Sequence, residues 1–136
     1  MARFRQQIPI VAITSEEDTL DLSTVVPHIA GPDTVQVATP LPEIEKERIE
    51  IHKAYLVSCV NSRSEDLRAA ARILEGKRVA DGVVLYVAAA SRTIEEQARA
   101  EGSWKIFEDA GATFLPPSCG PCIGLGQGIT TVIERI

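Results

Sequence analysis

From residue 54 to residue 115, short apolar runs alternate with amphipathic stretches, and each amphipathic stretch is closed by a glycine. Residues 54–57 and 112–115 read as short buried strands. Residues 83–88 form an apolar, β-branched run behind the turn signal Asp81-Gly82, which predicts a central strand. Between them, residues 64–74 place Leu67, Ala70, Ala71 and Leu74 on one helical stripe. Ser64 is an N-cap candidate, Glu65 and Asp66 suit the positive end of the helix dipole, and Gly76 stops the run. Residues 93–101 and 104–110 predict two more helices, stopped by Gly102 and Gly111, with Trp104 as the anchor of the second on the core. Strand, helix, strand, helix, helix, strand is the order of an α/β protein with a mostly parallel sheet and right-handed crossovers, expected as a three-layer α/β/α sandwich.

The first part of the chain is less regular. Residues 8–14 predict a strand closed by residues 15–18, and residues 21–32 are punctuated by prolines and glycine and predict irregular structure. Residues 35–38 suit a short edge strand, and the mixed-charge stretch 43–50 a solvated turn or linker. The 136 residues suffice for one domain with a real core. A net charge of -5 without a basic cluster, and 4% aromatic residues, exclude a nucleic-acid binder that works by phosphate neutralisation or base stacking. No apolar run reaches the roughly 20 residues of a membrane span, and the N-terminal stretch has too little apolar length for a secretory signal.

The chemistry rests on three cysteines, Cys59, Cys119 and Cys122. Their odd number argues against a disulfide framework and for an intracellular, reducing compartment. Cys59 follows the strand at 54–57, and Cys119 and Cys122 follow the strand at 112–115. Ligands of open α/β sheets gather outside the carboxyl ends of the strands. All three thiols are therefore expected at one sheet edge, as one site. The Cys119–Cys122 pair alone fits half of a zinc site, a redox pair, an iron–sulfur ligand set or two inert thiols. Neither His28 nor His52 stands in metal-ligand spacing with a cysteine. His28, between Pro27 and Ile29, is expected to pack, and His52 to lie on the surface. Asn61, Ser62 and Ser91 fall at the same sheet edge and are candidates for a supporting role around the site, with helix capping as the plainer reading of each serine. Arg63 there is expected to face solvent.

Two stretches carry a family resemblance. "SCVNSRSEDLRAAA", residues 58–71, resembles the first cluster motif of the aconitase superfamily, and "CGPCIGLG", residues 119–126, resembles its second. The resemblance runs over about residues 20–128, and within the superfamily the wording is most similar to the fungal homoaconitase branch, with isopropylmalate dehydratase next. It implies a 4Fe–4S cluster held by Cys59, Cys119 and Cys122, and a hydro-lyase that dehydrates and rehydrates a hydroxy polycarboxylate. It implies the mitochondrial matrix if the chain is fungal, and the cytoplasm otherwise. Members of the family are several times longer, and other domains carry their serine base and substrate-binding arginines. The chain is thus expected as an aconitase-like fragment, inactive alone and with no catalytic residue of its own. It would meet the substrate only with the missing domains, supplied by a partner chain. Two local departures stand out. Val60 follows the first cysteine where the family has threonine, and Ala90-Ser91 stands where several members have a Gly-Ser pair.

Overall fold

The structure is a computed structural model describing residues 21–31 and 34–130. The strand expected at 8–14 and its closing turn lie outside the described residues. The chain divides into two compact units, Met1–Glu47 and Arg48–Ile136.

In the first unit a 3-10 turn, Leu22–Thr24, is capped by Asp21, whose carboxylate accepts the Ser23 N–H at 2.9 Å. Strand β1, His28–Ala30, pairs antiparallel with β2, Ala38–Pro40. A short helix, α1 (Leu41–Ile44), follows directly, and its first N–H donates to the Pro27 carbonyl at 2.8 Å. The edge strand expected at 35–38 thus lies further on, and its partner falls in the stretch expected to be irregular. Pro40 has no N–H for a ladder and ends β2. His28 is a correction: it is exposed, with Nδ1 2.7 Å from the Val26 carbonyl, and does not pack.

The second unit holds the predicted alternation. Its elements are β3 (Lys53–Leu56), α2 (Ser64–Leu74), β4 (Val84–Val87), α3 (Arg92–Ala100), α4 (Ser103–Ala110) and β5 (Thr113–Phe114). The strand order is β3-β4-β5, parallel throughout, with β4 central. Both crossovers step the same way across the sheet, which places their helices on one face when both are right-handed. Helices α2, α3 and α4 accordingly touch one another. Leu67, Val87, Trp104 and Phe107 are fully or almost fully buried between helices and sheet, with Leu56, Leu85 and Phe114 packed against them.

The fold is α/β with a parallel sheet, as expected. The three-layer expectation is narrowed. Among the described residues one face carries the helices, while the other is met by residues 126–130 rather than by a helix. Tyr55 and Tyr86 are register partners on β3 and β4 that alternate away from Leu56 and Val87, and their rings stack at 5.3 Å. The Tyr55 hydroxyl donates to the Gly128 carbonyl. Among the described residues no helix is long and apolar enough to cross a membrane.

Polar contacts tie α2 to α3. Arg68 donates twice to the Glu101 carboxylate, at 2.7 Å each, Gln97 adds a third bond at 2.8 Å, and Ser64 Oγ donates to the Gln97 side-chain carbonyl at 2.8 Å. The Arg68 guanidinium first, and Gln97 after it, hold the Glu101 carboxyl down to about 2. The folded value lies below the ordinary carboxylate value of about 4.3. The stability this group contributes is therefore complete above that value and is lost as pH falls through about 2. Glu101→Gln should lower the melting temperature modestly at pH 6, and the two proteins should melt together near pH 2. A thermal denaturation series across that range checks this, and a difference that persists at the acid end would refute it.

Candidate functional site

The three strands end side by side. Beyond the strand ends the ladder continues, Ala88 N–H donating to Leu56 at 3.0 Å and Leu115 N–H to Val87 at 2.9 Å. Every loop that leaves the sheet in the forward direction therefore starts from one edge. The loop after β3 carries Cys59, the loop after β4 carries Ser91, and the loop after β5 carries Cys119 and Cys122. This is the placement expected from the strand pattern. All three thiols are free and exposed.

The Cys59 loop is sharply bent. Ser58 holds φ at 106°, a region that residues with a Cβ rarely adopt. Its hydroxyl accepts the Val60 N–H at 3.1 Å, so the bend is fixed from within the loop. Strain of this kind persists only where surrounding structure enforces it, and it collects at functional sites. The loop is pinned to its neighbour by the Ser62 carbonyl, which accepts the Ala90 N–H at 2.9 Å. Ser62 is fully buried, and its hydroxyl has no hydrogen-bond partner. An orphaned buried hydroxyl costs about 1–3 kcal/mol, so it marks a place where packing alone does not account for the residue. Asn61 beside it is exposed. Helix α2 then starts at Ser64, one residue after its cap. The cap is Arg63, not the expected Ser64, and the Asp66 carboxylate reaches back to accept the Arg63 N–H at 3.2 Å.

Ser91 has a clear local task. Its hydroxyl accepts the Ile94 N–H at 3.3 Å and caps α3. Helices α2 and α3 thus both begin at the edge that carries the cysteines. Their amino ends contribute positive partial charge there, with Arg63 and Arg92 at the two helix starts.

The second cysteine loop is built on backbone turns. Leu115 is buried, two prolines follow, and a 3-10 turn spans Pro121–Ile123. The Gly120 carbonyl accepts from both Ile123 and Leu125 at 3.1 Å, and Gly124 closes the turn at φ 70°, where glycine has no Cβ penalty. A cavity of about 210 Å³ opens at this edge, walled by Val57, Ala88 and Leu115 from the three strand ends and by Ser118 and Gly120 from the loop. Val60, Ile123 and Leu125, from the same two loops as the thiols, are apolar and each 60% exposed. Among the described residues no three His, Cys, Asp or Glu side chains are gathered closely enough to hold a metal ion. The fold thus brings the three thiols to one edge on two loops without closing them on a common centre. His52 is exposed, as expected.

Two features escape a reading of the sequence. One is the strained Ser58. The other is the segment 126–130, fastened to the tyrosine pair. The signal for the second was present, since Gly126 and Gly128 follow the cysteine pair at alternate positions and both tyrosines sit on strands.

Comparison with known proteins agrees with this architecture. The family model described as aconitase family (aconitate hydratase) matches residues 12–135. A mitochondrial homoaconitase of Mycosarcoma maydis is 55% identical over 118 residues, which is 87% of this chain and 16% of that protein. The mitochondrial homoaconitase of Cryptococcus neoformans is 57% identical over 111 residues, 82% of this chain and 15% of its own. That of Yarrowia lipolytica is 50% identical over 111 residues, with 82% and 16% covered. The chain spans about a sixth of the length of these relatives. With two cysteine loops on one parallel sheet edge and a family match over almost its whole length, the chain belongs to the aconitase family.

Proposed function

We propose that this chain is the cluster-bearing α/β part of a homoaconitase-type hydro-lyase, and that Cys59, Cys119 and Cys122 hold a 4Fe–4S cluster. The observation that carries the reading is that the two loops bearing the three exposed thiols, far apart in sequence, both leave the carboxyl edge of one parallel sheet. The donor set fits the group. Thiolates are the usual ligands of such clusters, and three of them leave one iron for another ligand. The unpartnered hydroxyl of Ser62, on the Cys59 loop, and the cavity at the strand ends support the reading of this edge as a site. The identity to mitochondrial homoaconitases favours that member of the family and a mitochondrial setting over an isopropylmalate dehydratase or aconitase.

When bound, the cluster supplies a Lewis-acidic iron to the hydroxyl that leaves a hydroxy polycarboxylate. The chain's own residues hold and surround that centre. The Ser58 bend presents Cys59, and the Ser62–Ala90 bond ties its loop to the end of the central strand. The amino ends of α2 and α3, with Arg63 and Arg92, favour negative charge at this edge, as an anionic cluster and a polycarboxylate require. Asn61, exposed on the same loop, would add a donor. Dehydration also breaks a C–H bond on the neighbouring carbon, and its proton must pass to a base. No residue of this chain is assigned that task. The reading therefore has the chain inactive alone and completed by further domains, in the same polypeptide or in a partner chain.

Anaerobic reconstitution with iron and sulfide tests the proposal. The 136-residue chain should take up about four irons and develop a broad visible absorbance. A colourless product, or one that binds only zinc, would overturn it. A chain that holds the cluster yet gains no activity when the remaining domains of a homoaconitase are supplied would be a binding module instead.

A further inference from the structure

The loop with Cys119 and Cys122 is not held by its own turns alone. From Gly126 to Thr130 the chain turns back across the helix-free face of the sheet, where three contacts fasten it. The Tyr55 hydroxyl donates to the Gly128 carbonyl, and Lys53 Nζ donates to the Ile129 carbonyl at 2.8 Å. Gly128 itself lies flat on the Tyr86 ring. A Cβ added there would stand 3.1–3.2 Å from three ring atoms, and its φ of 86° is one that glycine alone adopts at ease. Tyr55 stacks on Tyr86, the two ring centroids 5.3 Å apart with an interplanar angle of 15°. Beside this fastening an open cavity of about 280 Å³ is lined by Tyr55, Val57, Pro121, Cys122 and Thr130. Cys122 therefore shares a cavity wall with Tyr55 and with Thr130 of the fastened segment.

We infer that Tyr55, Tyr86 and Lys53 are positioning residues that act through the 126–130 segment, clamping the Cys119–Cys122 loop against the sheet edge. The Cys59 loop is held separately, by Ser58, Ser62 and Asp66. The two halves of the thiol set thus have independent anchors, and the clamp governs only one of them. The significance of the clamp for a cofactor rests on the cluster reading above; its effect on the loop does not.

Amide hydrogen exchange on the full 136-residue chain, without cofactor, tests this directly. Tyr55→Phe keeps the ring stack and removes the donor to Gly128. Exchange of the amides of Ile123, Gly124 and Leu125 should quicken by about threefold to tenfold, the factor expected for one lost hydrogen bond. Amides of residues 58–63 should be unchanged. Lys53→Met should act the same way and Lys53→Arg, which keeps a donor, should restore the slow exchange. Gly128→Ala should release the segment more fully, through both the ring contact and the backbone. Equal quickening in both cysteine loops would show a general loosening and overturn the clamp, as would no change in either. After reconstitution, Tyr55→Phe should also lose its visible absorbance to an iron chelator faster than the parent. If the parent takes up no iron, the cluster proposal fails while the exchange result stands on its own.

Discussion

Replacing Cys119 by serine should leave a chain that folds normally and stays colourless after anaerobic reconstitution. Bound iron should fall from about four per chain to near zero. The same result is expected for Cys59→Ser and Cys122→Ser. The size of the effect follows from the donor count. Three thiols are the whole set, and a serine oxygen is a harder and far weaker partner for iron in a sulfide cluster. The loss of one leaves two, which hold no stable centre. The folding side of the argument is as definite. All three cysteines are exposed, so none fills the core, and surface changes of this kind move stability by less than about 0.5 kcal/mol. Urea denaturation of the three cofactor-free variants should therefore coincide with the parent. Cys59→Ser is the most informative of the three, because Cys59 comes from a separate loop and could be idle beside a self-sufficient Cys119–Cys122 pair. A Cys59→Ser variant with full iron and unchanged absorbance would remove Cys59 from the ligand set and with it the three-thiolate centre.

What the sequence discloses depends on how local each determinant is. Helix α2 is found at Ser64–Leu74, its expected bounds, because Leu67 and Ala71 sit a turn apart and both are buried. The centre of the sheet was equally legible, since β4 is an apolar run whose last residue, Val87, is wholly buried. Strand ends shift by a residue or more because they are set by partners. β3 begins at Lys53 since its ladder with Val84 begins there, and β5 is only two residues long where four were expected. The hairpin of β1 and β2 is not legible for the same reason, as its pairing joins residues 8 to 12 positions apart across a connection that starts with Gly31 and Pro32. The site divides along the same line. That Cys59, Cys119 and Cys122 share an edge follows from strand order alone. The cap of α2 falls on Arg63, one residue before the expected serine, because the Asp66 carboxylate three residues on accepts the Arg63 N–H and fixes the helix start there. The Ser58 bend and the clamp on Gly128 exist only when distant chain segments meet.

Trp104→Ala should be the most disruptive single change in the second unit, costing about 3–5 kcal/mol. The indole is 1% exposed. It stacks on Phe114 of β5 at 4.7 Å, meets Phe107 edge-on at 6.4 Å, and lies 4.9 Å beneath the Arg99 guanidinium. One ring therefore joins α4, α3 and the last strand. Truncation opens a large cavity and removes the aromatic pairs as well as the cation contact. Domains of this size are stable by only about 5–15 kcal/mol, so much of the margin would go. The effect should reach the site, because Phe114 is the last residue of β5 and the Cys119–Cys122 loop starts from it. Trp104→Phe separates the contributions. It keeps an aromatic ring and removes the indole N–H, which is buried without a hydrogen-bond partner, so part of the lost packing is offset. It should cost well under half of what alanine costs. Circular dichroism must follow the urea transitions, since Trp104 is the single tryptophan and its removal leaves no indole fluorescence. If Trp104→Ala unfolds within about 0.5 kcal/mol of the parent, the aromatic cluster does not hold β5 to the helices. The second cysteine loop would then depend on the β4–β5 ladder, its own turns and the tyrosine clamp, and not on the indole.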